Sequence, residues 1–295
     1  MSLPWNRTVK LRVAPDCVCA TLEQGWPHRR ALARASHVVE AASGLQASGD
    51  SPTPNGRLAM VSAALDKLMV ELSEAGSPRA ARLDVELADA LVHIDVAVGD
   101  FAGDSDRQLQ AVADACVSEL LGEAAADHDV RWQLQAGDKH LLIGAVDRGL
   151  LTVLAGVAER HGLRLGSVQP DLCWQWNRHA HALHPGSAVF AVASGCNAII
   201  SCVSEGAIAA VGSGAWLDLE PPANVVNPRV KKLMCGFGLD SAMTADMLDT
   251  RTNRLLAGAG LDAANQSAFV LVGPEGAGKA VSSRWTVMSL EEEIS

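Results

Sequence analysis

Eight residues near the C-terminal end, Gly273–Ala280 (GPEGAGKA), come nearest in this sequence to a motif with defined chemistry. In a phosphate-binding loop, glycine N–H groups cradle phosphates, a lysine contacts them, and a following Ser or Thr coordinates magnesium. Ala280 occupies that last position and has no oxygen to offer. The residues after Lys279 predict one strand, Ser283–Met288, and an acidic tail, without the helix and further strands that such a loop needs. The pattern therefore favours a turn over a phosphate-binding loop.

A second stretch offers metal-binding side chains in the form of three histidines, His179, His181 and His184. In a helix, His181 and His184 would share a face at i, i+3. No Cys or acid at ligand spacing completes a metal site, so we favour the end of an amphipathic helix with His179 off its packing face. That face comprises Leu172, Trp176 and Leu183.

Three acidic side chains, Asp84, Glu86 and Asp89, form a short cluster. Asp84 and Glu86 alternate with apolar residues, as expected for one face of a strand. The sequence therefore predicts that these carboxylates form the solvated face of a half-exposed strand, and no catalytic role is assigned to any residue.

The composition excludes several classes of protein. The chain has 295 residues, of which 48% are hydrophobic, enough for a sizeable core. The net charge is −10 and the basic pairs Arg29–Arg30 and Lys231–Lys232 are isolated, whereas nucleic-acid binding needs clustered cations. No apolar run reaches the length of a membrane span, and Met1–Lys10 lacks the apolar region of a signal peptide. We therefore expect a cytoplasmic protein with no nucleic-acid partner.

The seven cysteines are odd in number and irregularly spaced, unlike a disulfide framework or a zinc knuckle. Cys17 and Cys19 lie two residues apart within an apolar run and are interpreted as reduced core side chains. The cysteine pattern indicates a reducing compartment.

The N-terminal half is predicted to contain a strand meander, one helix and two further strands, which would position its residues. A row of apolar side chains at helical spacing predicts the helix over Gly56–Ala75. Before it, Ala41–Arg57 is rich in Gly, Ser and Pro and is predicted to be an exposed connection. The predicted strands are Val9–Ala14, Cys17–Glu23, Ala31–Ala41, Arg82–Leu87 and Leu91–Val98.

The second half begins with the apolar run Leu141–Val146 and a helix from Asp147 to Gly162, which together predict parallel strands with a helical crossover. A buried antiparallel meander follows, linked by turn residues. Because each half contains a meander, a helix and further strands, the sequence predicts an internal duplication of topology. The meander strands are Ala188–Ala193, Ala198–Val203 and Ala207–Val211.

Three stretches are similar to the PilM family of type IV pilus assembly and to the cytoplasmic domain of the GspL family of type II secretion. Ala64–Val98 resembles the family's helix and paired strands, His140–Trp174 its central crossover, and Ala188–Gly214 its second phosphate hairpin. The resemblance, over roughly residues 8–290, implies an α/β, duplicated actin-like (ribonuclease-H-like) fold. Its two lobes, mixed sheets flanked by helices, would be residues 1–170, with an inserted subdomain at about 89–134, and residues 171–295.

The resemblance also implies what a nucleotide site would need. In nucleotide-hydrolysing members of this fold, an aspartate at the end of the first strand of each hairpin holds magnesium and its waters. The corresponding residues here are Ala14-Pro15-Asp16 and Ala193-Ser194-Gly195, so the acid is absent from both hairpins unless a slip in alignment brings Asp16 into that role. Losing these ligands predicts negligible hydrolysis.

We therefore expect a degenerate nucleotide cleft with no cofactor, and leave ATP with magnesium as the alternative. Gly273–Ala280 falls where the family has a glycine-rich loop beside the adenosine, although its glycines suit a plain turn equally well. The candidate cleft residues are Asp16, Gly195, Gly273, Gly276 and Gly278.

By this resemblance the protein is a non-enzymatic platform component, peripheral at the inner membrane through its partners. The implied partner is the short cytoplasmic N-terminal segment of a PilN-like bitopic membrane protein, together with other pilus or secretion platform components. An extended peptide would bind at a strand edge, with candidate residues in the insertion, Asp89–Leu134. Within it, Gly122–Asp129 is polar and acidic, and is interpreted as a solvated loop or, alternatively, a docking loop.

Two other function classes remain open from the sequence. An ATP-binding actin-like ATPase or a small-molecule kinase of the same superfamily would need hairpin acids and a catalytic carboxylate, for which Asp147, Asp171 and Asp218 are the candidates. A self-assembling filament protein is the third class.

Overall fold

The computed structural model describes residues 7–15, 17–25, 30–39, 54–76, 80–180, 186–194, 197–215, 245–273 and 282–289. The chain groups into two compact units, Met1–Leu91 with Val146–Pro170, and Val92–Ala145 with Asp171–Ser295. None of the helices in the described ranges combines the length and the apolar character needed to span a bilayer.

The strands in the described ranges form three sheets, and the five longer helices of the same ranges flank them. In chain order the strands are β1 (Arg7–Val13), β2 (Cys17–Gln24), β3 (Arg30–Val38), β4 (Arg82–Leu87), β5 (Val92–Val98), β6 (His128–Leu134), β7 (His140–Asp147), β8 (Arg164–Pro170), β9 (Ala188–Ser194), β10 (Asn197–Ser204), β11 (Ala207–Ala215), β12 (Ala268–Gly273) and β13 (Thr286–Ser289). The helices are α1 (Pro54–Ala75), α2 (Asp106–Leu121), α3 (Arg148–Arg160), α4 (Asp171–His179) and α5 (Ala245–Gly258).

The first unit is built on a five-stranded sheet of order β3-β2-β1-β4-β8. β1, β2 and β3 form the antiparallel meander, whereas β4 pairs in parallel with both β1 and β8. Helix α1 packs on β2 and β3 and contacts α3. Its predicted apolar row is largely confirmed, because Val61, Leu65, Leu68 and Leu72 are buried, and full burial of such a side chain contributes about 1.5–3 kcal/mol.

Helix α3 begins as the sequence predicts. The Asp147 carboxylate accepts hydrogen bonds from the N–H groups of Gly149 and Leu150, at 2.6 and 3.1 Å, and so satisfies two donors that a helix N-terminus leaves free. The helix ends before Gly162, whose φ of 65° is readily adopted by glycine.

The second unit contains a sheet with the same pattern of connections. Its order is β11-β10-β9-β12-β13, with an antiparallel meander and two parallel pairs. The predicted duplication of topology is confirmed. β9 is buried on both faces, since Val189 and Ala191 join the cluster that includes Leu248 of α5, whereas Phe190 and Val192 pack with Leu172 of α4.

A third, three-stranded sheet of order β5-β7-β6 is built from residues 92–147, and α2 packs on one of its faces through Leu109, Ala113 and Val117. This sheet corrects two predictions. β4 and β5 are not a pair, and the crossover α3 connects β7 to β8 in a different sheet instead of joining parallel neighbours. Short apolar runs predict that a strand is buried, but they do not encode which strand pairs with it.

By contacts within the chain, Val92–Ala145 groups with the second unit. The division into lobes at about residue 170, with an insertion at 89–134, rests instead on a resemblance in chain order. It therefore stays a prediction.

Candidate functional site

The first hairpin that would approach a phosphate joins β1 to β2. Val13 pairs with Val18, and the N–H of Ala14 donates to the carbonyl of Cys17 at 2.8 Å. Pro15 contributes no N–H to this turn. Asp16 lies outside the described residues.

The second hairpin joins β9 to β10, with Ala193 opposite Ala198 and Ser194 opposite Asn197. Ala193 is 2% exposed and belongs to the apolar cluster that also contains Ala191 and Leu271. A carboxylate at position 193 would be buried without a charge partner in that cluster, at a cost of several kcal/mol. Gly195 lies outside the described residues.

The two hairpins can be compared position by position, because equivalent cross-strand pairs enclose the same number of residues. Val13 opposite Val18 matches Ala193 opposite Ala198, because four residues separate the partners in each case. Ala14 therefore corresponds to Ser194, one residue away from the alignment with Ala193 that the sequence suggested. Neither Ala14 and Ser194 nor the preceding positions, Val13 and Ala193, carry a carboxylate. With either alignment, the strand ends therefore supply no aspartate to hold a metal.

Among the predicted glycines, Gly273 is the last residue of β12, where it is buried and pairs with Ser289 of β13. Gly276 and Gly278, with Lys279, lie outside the described residues. The connection between the parallel strands β12 and β13 consists of residues 274–285.

The three carboxylates considered as catalytic candidates differ in their surroundings. Asp147 is occupied as the N-terminal cap of α3. Asp171 is 0% exposed at the start of α4, where its carboxylate accepts a hydrogen bond from the Gln175 amide at 3.3 Å. Asp218 lies outside the described residues. Asp171 is thus the candidate whose environment is unusual for an acid.

The prediction that Asp84 and Glu86 form a solvated strand face is wrong, because polar side chains of β4 itself and of the neighbouring strands contact both carboxylates. Asp84 is 9% exposed and accepts hydrogen bonds from Arg82 Nε and Ser167 Oγ, both at 2.8 Å. Glu86 forms an ion pair with Arg12 on β1 at 3.3 Å. Alternating polar residues indicate one face of a strand, but that face is solvated only where no other side chains pack over it.

The adjacent acid Asp89 is likewise 9% exposed, in a 3-10 turn that follows β4. All three carboxylates that the sequence predicted to be solvated are therefore mostly buried.

His179 is also placed differently from the prediction, since it is 8% exposed and lies on the packed side of α4 with Leu172 and Gln175. These residues recur at i, i+3 and i+7, which is one face of a helix. His181 and His184 lie outside the described residues. Within the described ranges no three metal-ligating side chains come together.

The inserted segment contributes polar contacts that the sequence pattern did not predict. The Trp132 indole N–H of β6 donates to Gln110 of α2 at 2.9 Å, and His93 of β5 lies edge-to-face with His128 of β6 at 5.5 Å. Burial, together with the nearby His128 charge, lowers the pKa of His93. No local signal in the sequence could have paired residues from separate elements in this way.

The sequence matches no protein-family model and no curated protein. Its structure, however, is similar to solved structures over nearly its whole length. The comparison with a PilM–PilN type IV pilus biogenesis complex gives a TM-score of 0.58 at 12% identity, covering 98% of this chain and 90% of that chain. The cytoplasmic domain of EpsL, an inner-membrane component of the Vibrio cholerae type II secretion system, gives 0.51 at 11% identity, covering 98% and 92%.

A protein of Bacteroides thetaiotaomicron with an actin-like ATPase fold and unknown function gives a TM-score of 0.54 at 11% identity, covering 96% of this chain and 91% of that chain. The fold is thus the duplicated actin-like fold, an α/β architecture, as the sequence resemblance implied. At this level of identity the similarity establishes fold and leaves function to be argued from the residues.

Proposed function

We propose that this protein is an actin-fold adaptor in the inner-membrane assembly platform of a type IV pilus or type II secretion machine. It would act on the cytoplasmic side, peripheral to the membrane through its partners. Its binding target would be the cytoplasmic N-terminal segment of a PilN-like bitopic protein. The observation that carries the proposal is the similarity over 98% of the chain to a PilM–PilN complex and to the EpsL cytoplasmic domain.

The hairpins support a role without ATP turnover. Buried Ala193, and the absence of a carboxylate in the sequence at Ala14 and Ser194, leave the strand ends without the ligands that position magnesium. Phosphoryl transfer depends on that metal to neutralise and orient the phosphates. The proposed cleft, including Asp16, Gly195, Gly273, Gly276 and Gly278, would be a degenerate nucleotide site.

Two measurements test the adaptor proposal. The purified chain should bind a synthetic peptide with the sequence of the cytoplasmic N-terminal segment of a PilN-like bitopic protein encoded beside it, as measured by calorimetry. With Mg-ATP it should show neither turnover nor a binding isotherm in the micromolar range. Peptide binding without ATPase activity supports the proposal, whereas hydrolysis without peptide binding contradicts it.

One observation favours a second function, an ATP-binding ATPase or small-molecule kinase of the same superfamily. Asp171 is fully buried beside Gln175, whose Oε1 is also buried and has no hydrogen-bond partner among the described residues. Buried acids in such polar settings recur at catalytic sites. If this function holds, D171N should abolish a measurable ATPase rate, while E74Q, at an exposed acid of α1, should leave it unchanged.

A further inference from the structure

The two five-stranded sheets can be compared residue by residue, because their strand orders match and their first hairpins have the same length. Residues of β1 and β2 therefore have counterparts in β9 and β10. The parallel pairs Thr8–Arg82 and Ala188–Ala268 extend the comparison from β1 to β4 and from β9 to β12. Each face of the first sheet thus has a defined counterpart in the second.

One face is apolar in both sheets. In the first sheet, Leu11 of β1 and Val18 of β2 are buried on this face. Their counterparts in the second sheet, Ala191 and Ala198, are buried as well and belong to the cluster that α5 joins through Leu248. Removal of apolar side chains from water accounts for this face in each sheet.

The other face has opposite chemistry in the two sheets. In the second sheet it is an apolar cluster that α4 joins through Leu172, and Trp176 of the same helix lies edge to face with Phe190 at 5.7 Å. In the first sheet, five of the seven counterparts of the buried strand residues in that cluster are charged. We name these seven first-sheet residues the charged face. They are, each followed by its counterpart, Thr8 (Ala188), Lys10 (Phe190), Arg12 (Val192), Cys19 (Ile199), Glu23 (Val203), Asp84 (Val270) and Glu86 (Val272).

Ion pairs between neighbouring strands organise the charged face. Lys10 Nζ of β1 lies 3.0 Å from Glu23 Oε1 of β2, and Arg12 Nη1 of β1 lies 3.3 Å from Glu86 Oε1 of β4. These four side chains are 12–26% exposed. An apolar helix over them would remove the remaining water from the charges, at a cost in free energy that their mutual attraction does not fully return.

The order of elements along the chain makes this difference important for folding. Helix α4, with its apolar side chains Leu172 and Trp176, follows β8 of the first sheet and precedes every strand of the second. A chain made from its N-terminus therefore presents α4 to the first sheet before β9 exists. We propose that the charged face disfavours packing of α4 on the first sheet during folding and so directs this helix to the second sheet. Partly buried charges specify the partner of an element in some proteins even where they add little stability.

The test gives the charged face of the full chain the residues of its counterpart. R12V/E86V replaces one ion pair with the two valines that the second sheet has at these positions. The quadruple variant K10F/R12V/E23V/E86V replaces both ion pairs in the same way.

The control is D66L/R160L, which removes an ion pair between α1 and α3, where Arg160 Nη2 lies 2.8 Å from Asp66 Oδ2. Refolding from urea is followed by pulsed hydrogen exchange and mass spectrometry of peptides from β1, α4 and β9. In the wild type, the amides of α4 should become protected together with those of β9. In R12V/E86V we expect α4 to be protected together with β1, about tenfold sooner than β9, and the native protein to form about threefold more slowly because α4 must first detach. The quadruple variant should enlarge both changes, whereas the control should follow the wild type.

Protection of α4 together with β9 in both charged-face variants overturns the proposal, as does protection of α4 ahead of β9 in the wild type. The same change of order in D66L/R160L overturns it too, because the loss of any ion pair would then be sufficient. The order of protection also decides the case of a variant that does not reach the native state. There, α4 protected together with β1 supports the proposal, and unprotected α4 overturns it.

Discussion

The Gln135 side chain forms both hydrogen bonds that a neighbouring β-strand would make to Ile208. Its Nε2 donates to the Ile208 carbonyl and its Oε1 accepts from the Ile208 N–H, both at 2.7 Å. Ile208 lies on β11, the edge strand of the second sheet. Lys139, at the other end of the same β6–β7 turn, lies 4.0 Å from Glu205 in the β10–β11 turn. The β6–β7 turn is thereby attached to the edge of the second sheet.

Replacing Gln135 should loosen this attachment. Q135A leaves the N–H and carbonyl of the buried residue Ile208 without these partners, so the free energy of unfolding should fall by about 1–3 kcal/mol. Hydrogen exchange followed by NMR should show faster exchange of the Ile208 amide. The control is Q133A, at an exposed position of β6, which should alter neither quantity. Unchanged protection of Ile208 in Q135A would contradict the two-bond geometry.

The contact between α1 and α3 should give the protein an acid-sensitive component of stability. Burial tends to raise the pKa of Asp66, but hydrogen bonds and charges from Arg160 and His161 outweigh it and hold that pKa below its ordinary value. Arg160 Nη2 lies 3.0 and 2.8 Å from the two carboxylate oxygens, and His161 Nε2 lies 3.0 Å from Oδ1.

Because the folded pKa is lowered, this contribution is present above the ordinary carboxyl pKa and is lost as pH falls through the folded value. D66N should therefore be less stable than wild type at neutral pH, by about 1 kcal/mol or less since the pair is partly exposed. The difference should vanish in strong acid, as measured by urea unfolding across pH. E74Q should show no such dependence, and a D66N difference that grows in acid would contradict the assignment.

Two glycines of α3 should respond oppositely to alanine. A Cβ on Gly149 would lie 2.6 Å from Leu58 Cδ1 and 2.8 Å from Asp147 Oδ1, so G149A should destabilise the protein by about 1–3 kcal/mol. A Cβ on Gly156 would meet only the flexible end of Arg160 at 3.3 Å. G156A should then stabilise by up to about 1 kcal/mol through helix propensity. A urea midpoint that does not fall in G149A would refute the close approach of Gly149 to Leu58.

The thiol of Cys202 should be inert in the folded protein. Burial raises its pKa to about 12, and the side chain is 0% exposed. Since the thiolate is the reactive form, iodoacetamide at about pH 8 should label Cys202 only after unfolding. Cys17 and Cys173, which are partly exposed, should react first in the native protein. Peptide mass spectrometry measures each rate, and native labelling of Cys202 at the rate of Cys17 would show that β10 is not buried as described.

The local sequence pattern was sufficient to predict those elements whose formation depends on interactions within a few residues. The apolar row of α1, the Asp147 cap of α3 and the turn residues between β9, β10 and β11 each act over a few residues, so their bounds were predicted to within a few positions. The duplicated order of meander, helix and strand followed from these elements.

The partners of β5 and β7, the burial of Asp84 beside Ser167, and the hydrogen bonds from Gln135 to Ile208 join residues far apart in the chain. Periodicity says which side of an element is apolar, but it does not say which other element covers that side. The sequence thus determined the elements with a clear apolar period or cap, and it shows the absence of acids at the hairpin strand ends, whereas α2, β6 and α5 were not predicted. Tertiary structure alone decided which strands pair in the three sheets, because that pairing arises from contacts between distant segments. The alignment of Ala14 with Ser194 came from the cross-strand pairs of each hairpin, which apolar periodicity does not specify.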